Sequence, residues 1–207
     1  MSFDVDVRIR RGDRDIAAAF RGEGGLTVVT GPSGAGKTTL LMMVAGLLRP
    51  DAGHVRVGGV TLFDGAGRVD LPPERRRLGY VFQDARLFPH RRVGANLLYG
   101  YRLARPEDRW MEPERAIAFL GLDGLLDRWP RSLSGGEAQR VAIGRALLAG
   151  PRALLMDEPL GALDPARRDE VMHAIERIRD ELGVPILYVT HDRAEAARLA
   201  THSLTLG

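Results

Sequence analysis

Cysteine is absent from this chain of 207 residues. Disulfides and thiolate metal sites are therefore excluded, in keeping with a reducing compartment. Lysine is nearly absent: of 30 basic residues, only Lys37 is not arginine. Aromatic residues make up 6% of the chain and form no ladder beside the arginine clusters at 75–77 and 91–92. Those clusters, interleaved with acidic residues, read as solvated surface rather than as a nucleic-acid groove. No nucleic-acid partner is expected. Long apolar runs are also lacking. None approaches the roughly 18 residues that would span a bilayer, so a membrane role has to come through a partner. Residues 1–11 alternate charged with apolar side chains and do not resemble a secretory leader.

The one lysine lies in a run of glycines. Gly31, Pro32, Ser33, Gly34, Ala35, Gly36, Lys37, Thr38 and Thr39 satisfy G-x-x-x-x-G-K-[ST]. The glycines let backbone N–H groups converge on phosphate oxygens, and a compact ammonium slips between those oxygens where a planar guanidinium would not. Thr38 offers a hydroxyl to Mg²⁺. The flanks agree with this reading. Residues 26–30 read as a buried strand entering the loop, and 38–46 as the apolar helix leaving it.

Further strands are expected at 5–9, 54–63 with Gly58-Gly59 as its turn, 78–82, 154–156, 186–190 and 203–206. Residues 64–73 read as a loop, 84–150 as mostly helical, 164–183 as a long amphipathic helix and 192–200 as a shorter one. Alternating strands and helices predict an α/β fold with a mostly parallel sheet, interrupted by a helical insertion.

Four further groups carry chemistry. Asp157 and Glu158 end an apolar strand, where the first can hold Mg²⁺ and the second can orient or deprotonate water. Ser134 and Glu137 have the spacing of a capping box. The glycines between them, Gly135 and Gly136, weaken a first helical turn but let an anion come close. Gln83 follows the strand at 78–82, within reach of Mg²⁺ or an attacking water. His191 follows the strand at 186–190, where an imidazole can donate to a γ-phosphate.

Taken together, these segments resemble the ATP-binding cassette family. Residues 31–39 match its phosphate loop, Gln83 its Q-loop and 133–137 its signature motif. Residues 154–158 match its Walker B segment, 161–164 its D-loop and His191 its switch histidine. The matches run in the family's order along nearly the whole chain. The resemblance implies a P-loop NTPase (RecA-like) core, an N-terminal antiparallel β subdomain and an inserted helical subdomain at about 84–150, all within one domain of residues 1–207. It implies ATP and Mg²⁺ as cofactors, with Glu158, His191 and Gln83 catalytic and Thr38, Gln83 and Asp157 at the metal. Two copies are implied to face head to tail, with Ser134, Gly135 and Gly136 of one closing the site of the other.

A finer resemblance, carried by residues 79–90 and 96–100, is to the ATPase subunits of molybdate importers. It implies a membrane permease as partner, an external substrate-binding protein beyond it, and a peripheral place on the cytoplasmic face of the cell membrane. The stretch after Gln83 resembles the part that docks the permease. Importers of sulfate, polyamines or iron are the nearest alternatives, and a soluble non-transport cassette ATPase is a more distant one. Two departures stand out. Molybdate-importer ATPases usually continue into an oxyanion-binding β domain, whereas residues 1–207 stop right after the last expected strand, so no such domain is expected within them. No aromatic near residues 8–15 is placed to stack on adenine, so arginine is expected to substitute.

Overall fold

The structure, a computed structural model, describes residues 2–207. Its strands form two five-stranded sheets, one antiparallel and one parallel. The antiparallel sheet starts with β1 (Phe3–Arg11) and β2 (Arg14–Gly22), joined by a two-residue turn at Gly12-Asp13. It continues with β4 (Ala52–Val57), β5 (Val60–Asp64) and the short β6 (Val69–Asp70), in the order β2-β1-β4-β5-β6. Gly58 and Gly59 turn β4 into β5 with φ of 57° and 77°. Two consecutive positive φ angles give a turn whose twist matches the flanking strands.

The parallel sheet contains β3 (Leu26–Thr30), β7 (Leu78–Val81), β8 (Ala153–Asp157), β9 (Ile186–Val189) and β10 (His202–Thr205), in the order β10-β3-β9-β8-β7. Its central strands are largely apolar because each face meets a different core. Val28, Leu154, Met156, Ile186 and Tyr188 face the helical side, packing with Leu97, Val141, Ile143, Val171 and Ile175. Val29, Leu155, Leu187 and Val189 face α1 (Lys37–Ala45) and the antiparallel sheet, packing with Leu40, Leu41, Val44, Val5 and Val55. A sheet covered on both faces needs such near-continuous apolar strands. Between β7 and β8 lie α3 (Val93–Leu103), α4 (Pro113–Leu120) and α5 (Gly135–Leu148). After β8 come α6 (Pro165–Arg177), a π-helical turn (Ile178–Leu182) and α7 (Arg193–Leu199).

The structure corrects several expectations. The two sheets are those the family resemblance implies, an antiparallel subdomain beside a parallel core, whereas strand–helix alternation alone announced only the parallel one. β2 gives no alternating signal in sequence, because Ala17, Ala18 and Ala19 occupy both of its faces. The expected loop at 64–73 contains β6, and its last residue, Pro73, opens α2 (Pro73–Arg76). β10 starts one residue before the expected position. The arginine cluster at 75–77 is not simply solvated surface. Arg76 is 1% exposed and donates to the Leu71, Met43 and Val44 carbonyls and to Asp70. Two of those carbonyls end α1, and the cation satisfies them while countering the negative end of the helix dipole.

Candidate active site

Parallel pairing places the carboxyl ends of β3, β9, β8 and β7 along one edge. Val29 pairs with Val189, Val189 with Asp157, and Met156 with Val81. The loops that follow, carrying residues 31–39, His191, Glu158 and Gln83, therefore emerge side by side. Ligand sites of open parallel sheets form at such an edge.

In the phosphate loop, glycine is required for two different reasons. A Cβ on Gly31 would strike the Leu206 carbonyl of β10's end. Gly36 opens α1 at φ 95°, and a Cβ there would stand 2.6 Å from Ile16. Lys37 is 5% exposed, and its Nζ folds back to donate to the Gly31 carbonyl at 2.9 Å and the Pro32 carbonyl at 3.0 Å. Glu158 Oε1 lies 3.7 Å from the same ammonium. The loop thus cradles its own lysine. An arriving phosphate offers that lysine anionic oxygens in place of neutral carbonyls, which are stronger partners.

Asp157 is held at both oxygens. Thr38 Oγ1 donates to Oδ1 at 2.9 Å, and the Tyr80 hydroxyl donates to Oδ2 at 3.1 Å. Burial raises the Asp157 carboxyl above its ordinary value, and these two hydrogen bonds oppose the rise. Glu158 has φ 45°, in the left-handed region that non-glycine residues rarely enter. Its N–H donates to the Val189 carbonyl, and Oε2 lies 3.0 Å from His191 Nδ1. Strain of this kind is sustained when neighbours over-determine the conformation, and it gathers at functional sites. His191 itself is held from behind. Thr190 Oγ1 donates to the buried Glu195 and accepts from the Asp192 N–H, and Arg168 of α6 grips Asp192 at 3.1 Å.

The phosphate loop, Asp157, Glu158 and His191 are thereby brought together as the sequence predicts. Two expected members stand apart. Gln83 is exposed and lies against Gly161, and no hydrogen bond joins its amide to Thr38 or Asp157 among the described residues. Ser134 caps α5 in a complete capping box with Glu137. Gly135 and Gly136 pack there against Leu163 and Arg167, where a Cβ would approach to 2.8 and 3.2 Å. None of the three lines the cavity of about 400 Å³ over the phosphate loop. Arg11, Arg14 and Ile16 of the β1–β2 hairpin do line it, beside Ser33, Gly34, residues 36–39 and Glu158. Arg14 Nη1 donates to the Gly34 carbonyl at 3.2 Å. Single-chain patterns give no notice of Ile16 or Tyr80, whose roles depend on strands distant in sequence.

A glycine loop between a parallel strand and a helix, with two carboxylates on a neighbouring strand end, defines a P-loop nucleotide-binding cassette. The family model for ABC transporters matches residues 21–161, and the chain belongs to that family. It is 52% identical over 206 residues, 100% of the chain to the nearest per cent, to the molybdenum import ATP-binding protein ModC of Mesorhizobium japonicum. It is 54% identical over 202 residues, 98% of the chain, to the protein of that name from Brucella melitensis biotype 1. The chain spans 56% of the length of each of these relatives. Among solved structures, it resembles the dimeric structure of the bacterial ABC transporter cassette MJ0796, with a TM-score of 0.76 at 27% identity, covering 99% of this chain and 93% of that one. The dimeric post-hydrolysis state of the same ATP-binding cassette with ADP and Pi gives 0.73 at 28% identity and the same coverage.

Proposed function

We propose that this chain is the ATP-hydrolysing subunit of a molybdate importer and works as a pair of copies with ATP between them. The observation that carries the hydrolytic reading is the convergence of Lys37, Thr38, Asp157, Glu158 and His191 on one sheet edge. Identity above half to relatives named for molybdenum import supports the cargo.

Within this reading, the loop N–H groups and Lys37 bind the β- and γ-phosphates. Thr38 and Asp157 present hard oxygen atoms 2.9 Å apart, a donor set suited to Mg²⁺, which supplies charge neutralisation when bound. Gln83 swings from Gly161 to complete that set or to hold the attacking water. Glu158 accepts the water's proton, and His191 donates to the γ-phosphate. Arg11 and Arg14 flank the base in place of a stacking aromatic. Ser134, Gly135 and Gly136 act on the second copy's nucleotide, which accounts for their distance from the cavity of their own chain. Catalysis is then chiefly positioning and electrostatic stabilisation.

Residues 84–150 form the signature lobe of the single domain in this proposal. Its aromatic cluster, Phe88 packed 4.7 Å from Tyr99, with Leu103 72% exposed nearby in sequence, is where a permease docks. No helix among the described residues is long and apolar enough to cross a membrane, so the permease would hold the chain at the cytoplasmic face and an external binding protein would deliver cargo.

The test is reconstitution of the chain with its permease and binding protein in proteoliposomes. Molybdate should stimulate ATP turnover well above sulfate, and Glu158→Gln should remove the stimulation. Turnover indifferent to molybdate would end the cargo assignment. Full turnover by the lone chain, independent of its concentration, would end the paired-site reading.

A further inference from the structure

We propose that Tyr80 is a positioning residue for Asp157, its hydroxyl holding Oδ2 so that Oδ1 is the oxygen presented beside Thr38 to a divalent cation. The inference rests on the reading that Thr38 and Asp157 form the metal site, and it adds the group that orients the carboxylate.

The two oxygens of Asp157 have different partners. Oδ1 faces Thr38 Oγ1 at 2.9 Å, and Oδ2 faces the Tyr80 hydroxyl at 3.1 Å. The terminal torsion of an aspartate is broad, and a donor fixed on one oxygen holds the carboxylate plane so that the other oxygen stays directed at Thr38. Tyr80 is itself fixed. It lies on β7 beside β8, two ladder steps before the level of Asp157, with Tyr80 paired to Leu155. Its ring stacks on Phe82 with centroids 4.2 Å apart, and the Arg86 guanidinium covers the Phe82 ring at 4.1 Å. Gln139 of α5 donates to the Phe82 carbonyl at 3.0 Å. The phenol thus stands on a braced platform. Phenylalanine would pack equally well there, so the hydroxyl is the part that packing does not account for. Partners that hold a metal-binding carboxylate from behind tune its affinity, and losing one costs roughly 10- to 100-fold.

Tyr80→Phe keeps the stack and deletes only the donor. Calorimetric binding of the non-hydrolysable analogue AMP-PNP, in EDTA and across a Mg²⁺ series, tests the idea. The variant should bind AMP-PNP as the parent does in EDTA and need about tenfold more Mg²⁺ to reach half of the metal-dependent gain in affinity. Mn²⁺ spectra of the bound nucleotide complex should broaden as the carboxylate loses its fixed orientation. A purely packing role would leave the Mg²⁺ requirement and the spectrum unchanged, and that result overturns the proposal. Asp157→Asn separates the two layers. If it loses the Mg²⁺ response while Tyr80→Phe retains it, only the role of Tyr80 fails. If Asp157→Asn also keeps the parental response, the metal site at Asp157 fails and the Tyr80 proposal falls with it.

Discussion

Glu158 lies between two basic groups, Lys37 at 3.7 Å and His191 at 3.0 Å, on a backbone turned to positive φ. Its carboxylate is therefore aimed by its neighbours as well as by its own rotamer. Glu158→Gln keeps the shape and removes the proposed base, so ATP should still bind while turnover falls by about 100-fold or more, read in a single-turnover assay. Lys37→Arg should weaken ATP binding by about tenfold or more, since a wider cation cannot reach both loop carbonyls in a pocket that leaves the side chain 5% exposed. Equal affinity in a titration with a fluorescent ATP analogue would count against that steric account. At this scale, the side chains legible in sequence were those whose spacing is local: the phosphate loop, the adjacent carboxylates and the capping box. Tyr80 was not, because its importance arises from a partner 77 positions away.

Ser134 caps α5 through a reciprocal pair of hydrogen bonds. Ser134 Oγ accepts from the Glu137 N–H at 3.2 Å, and Glu137 Oε2 accepts from the Ser134 N–H at 2.7 Å. Ser134→Ala should cost about 1 kcal/mol in urea unfolding. The Ser134 backbone N–H, ahead of the other contributions, holds the Glu137 carboxyl below its ordinary value of 4.5. A lowered carboxylate stabilises the fold above that ordinary value and loses its contribution as pH falls through the lowered one. The urea midpoint should therefore decline on acidification below 4.5, and Glu137→Gln should flatten that limb of the curve. Arg76 makes the matching case at the far end of α1. Removing it, as in Arg76→Met, leaves the Met43 and Val44 carbonyls without their cation and should cost about 3 kcal/mol in the same assay. Its burial was not legible from a triplet of arginines. Nor was β2, whose alanines lack a periodic signature, whereas β3 and β8 declared themselves by being largely apolar on both faces.

Across the whole molecule, the sheet edge gathers Lys37, Thr38, Asp157, Glu158 and His191, and α5 holds Gly135 and Gly136 against Leu163 and Arg167, the pair that the proposed second copy would use. Gly135→Asp adds a negative charge where a partner copy's γ-phosphate would come. The variant should bind ATP as a monomer and fail to dimerise with it, a difference that light scattering reads directly. The order of segments along the chain made this arrangement legible in outline, while the division of labour between hairpin, loop and lobe needed three dimensions. One compositional feature reaches further. The chain has a single side-chain amine, tucked under its own loop carbonyls. Acylating reagents that normally decorate a protein's surface find no ε-amino target outside the nucleotide pocket. A mass shift at Lys37, suppressed by bound ATP, would count occupied sites molecule by molecule without any engineered label.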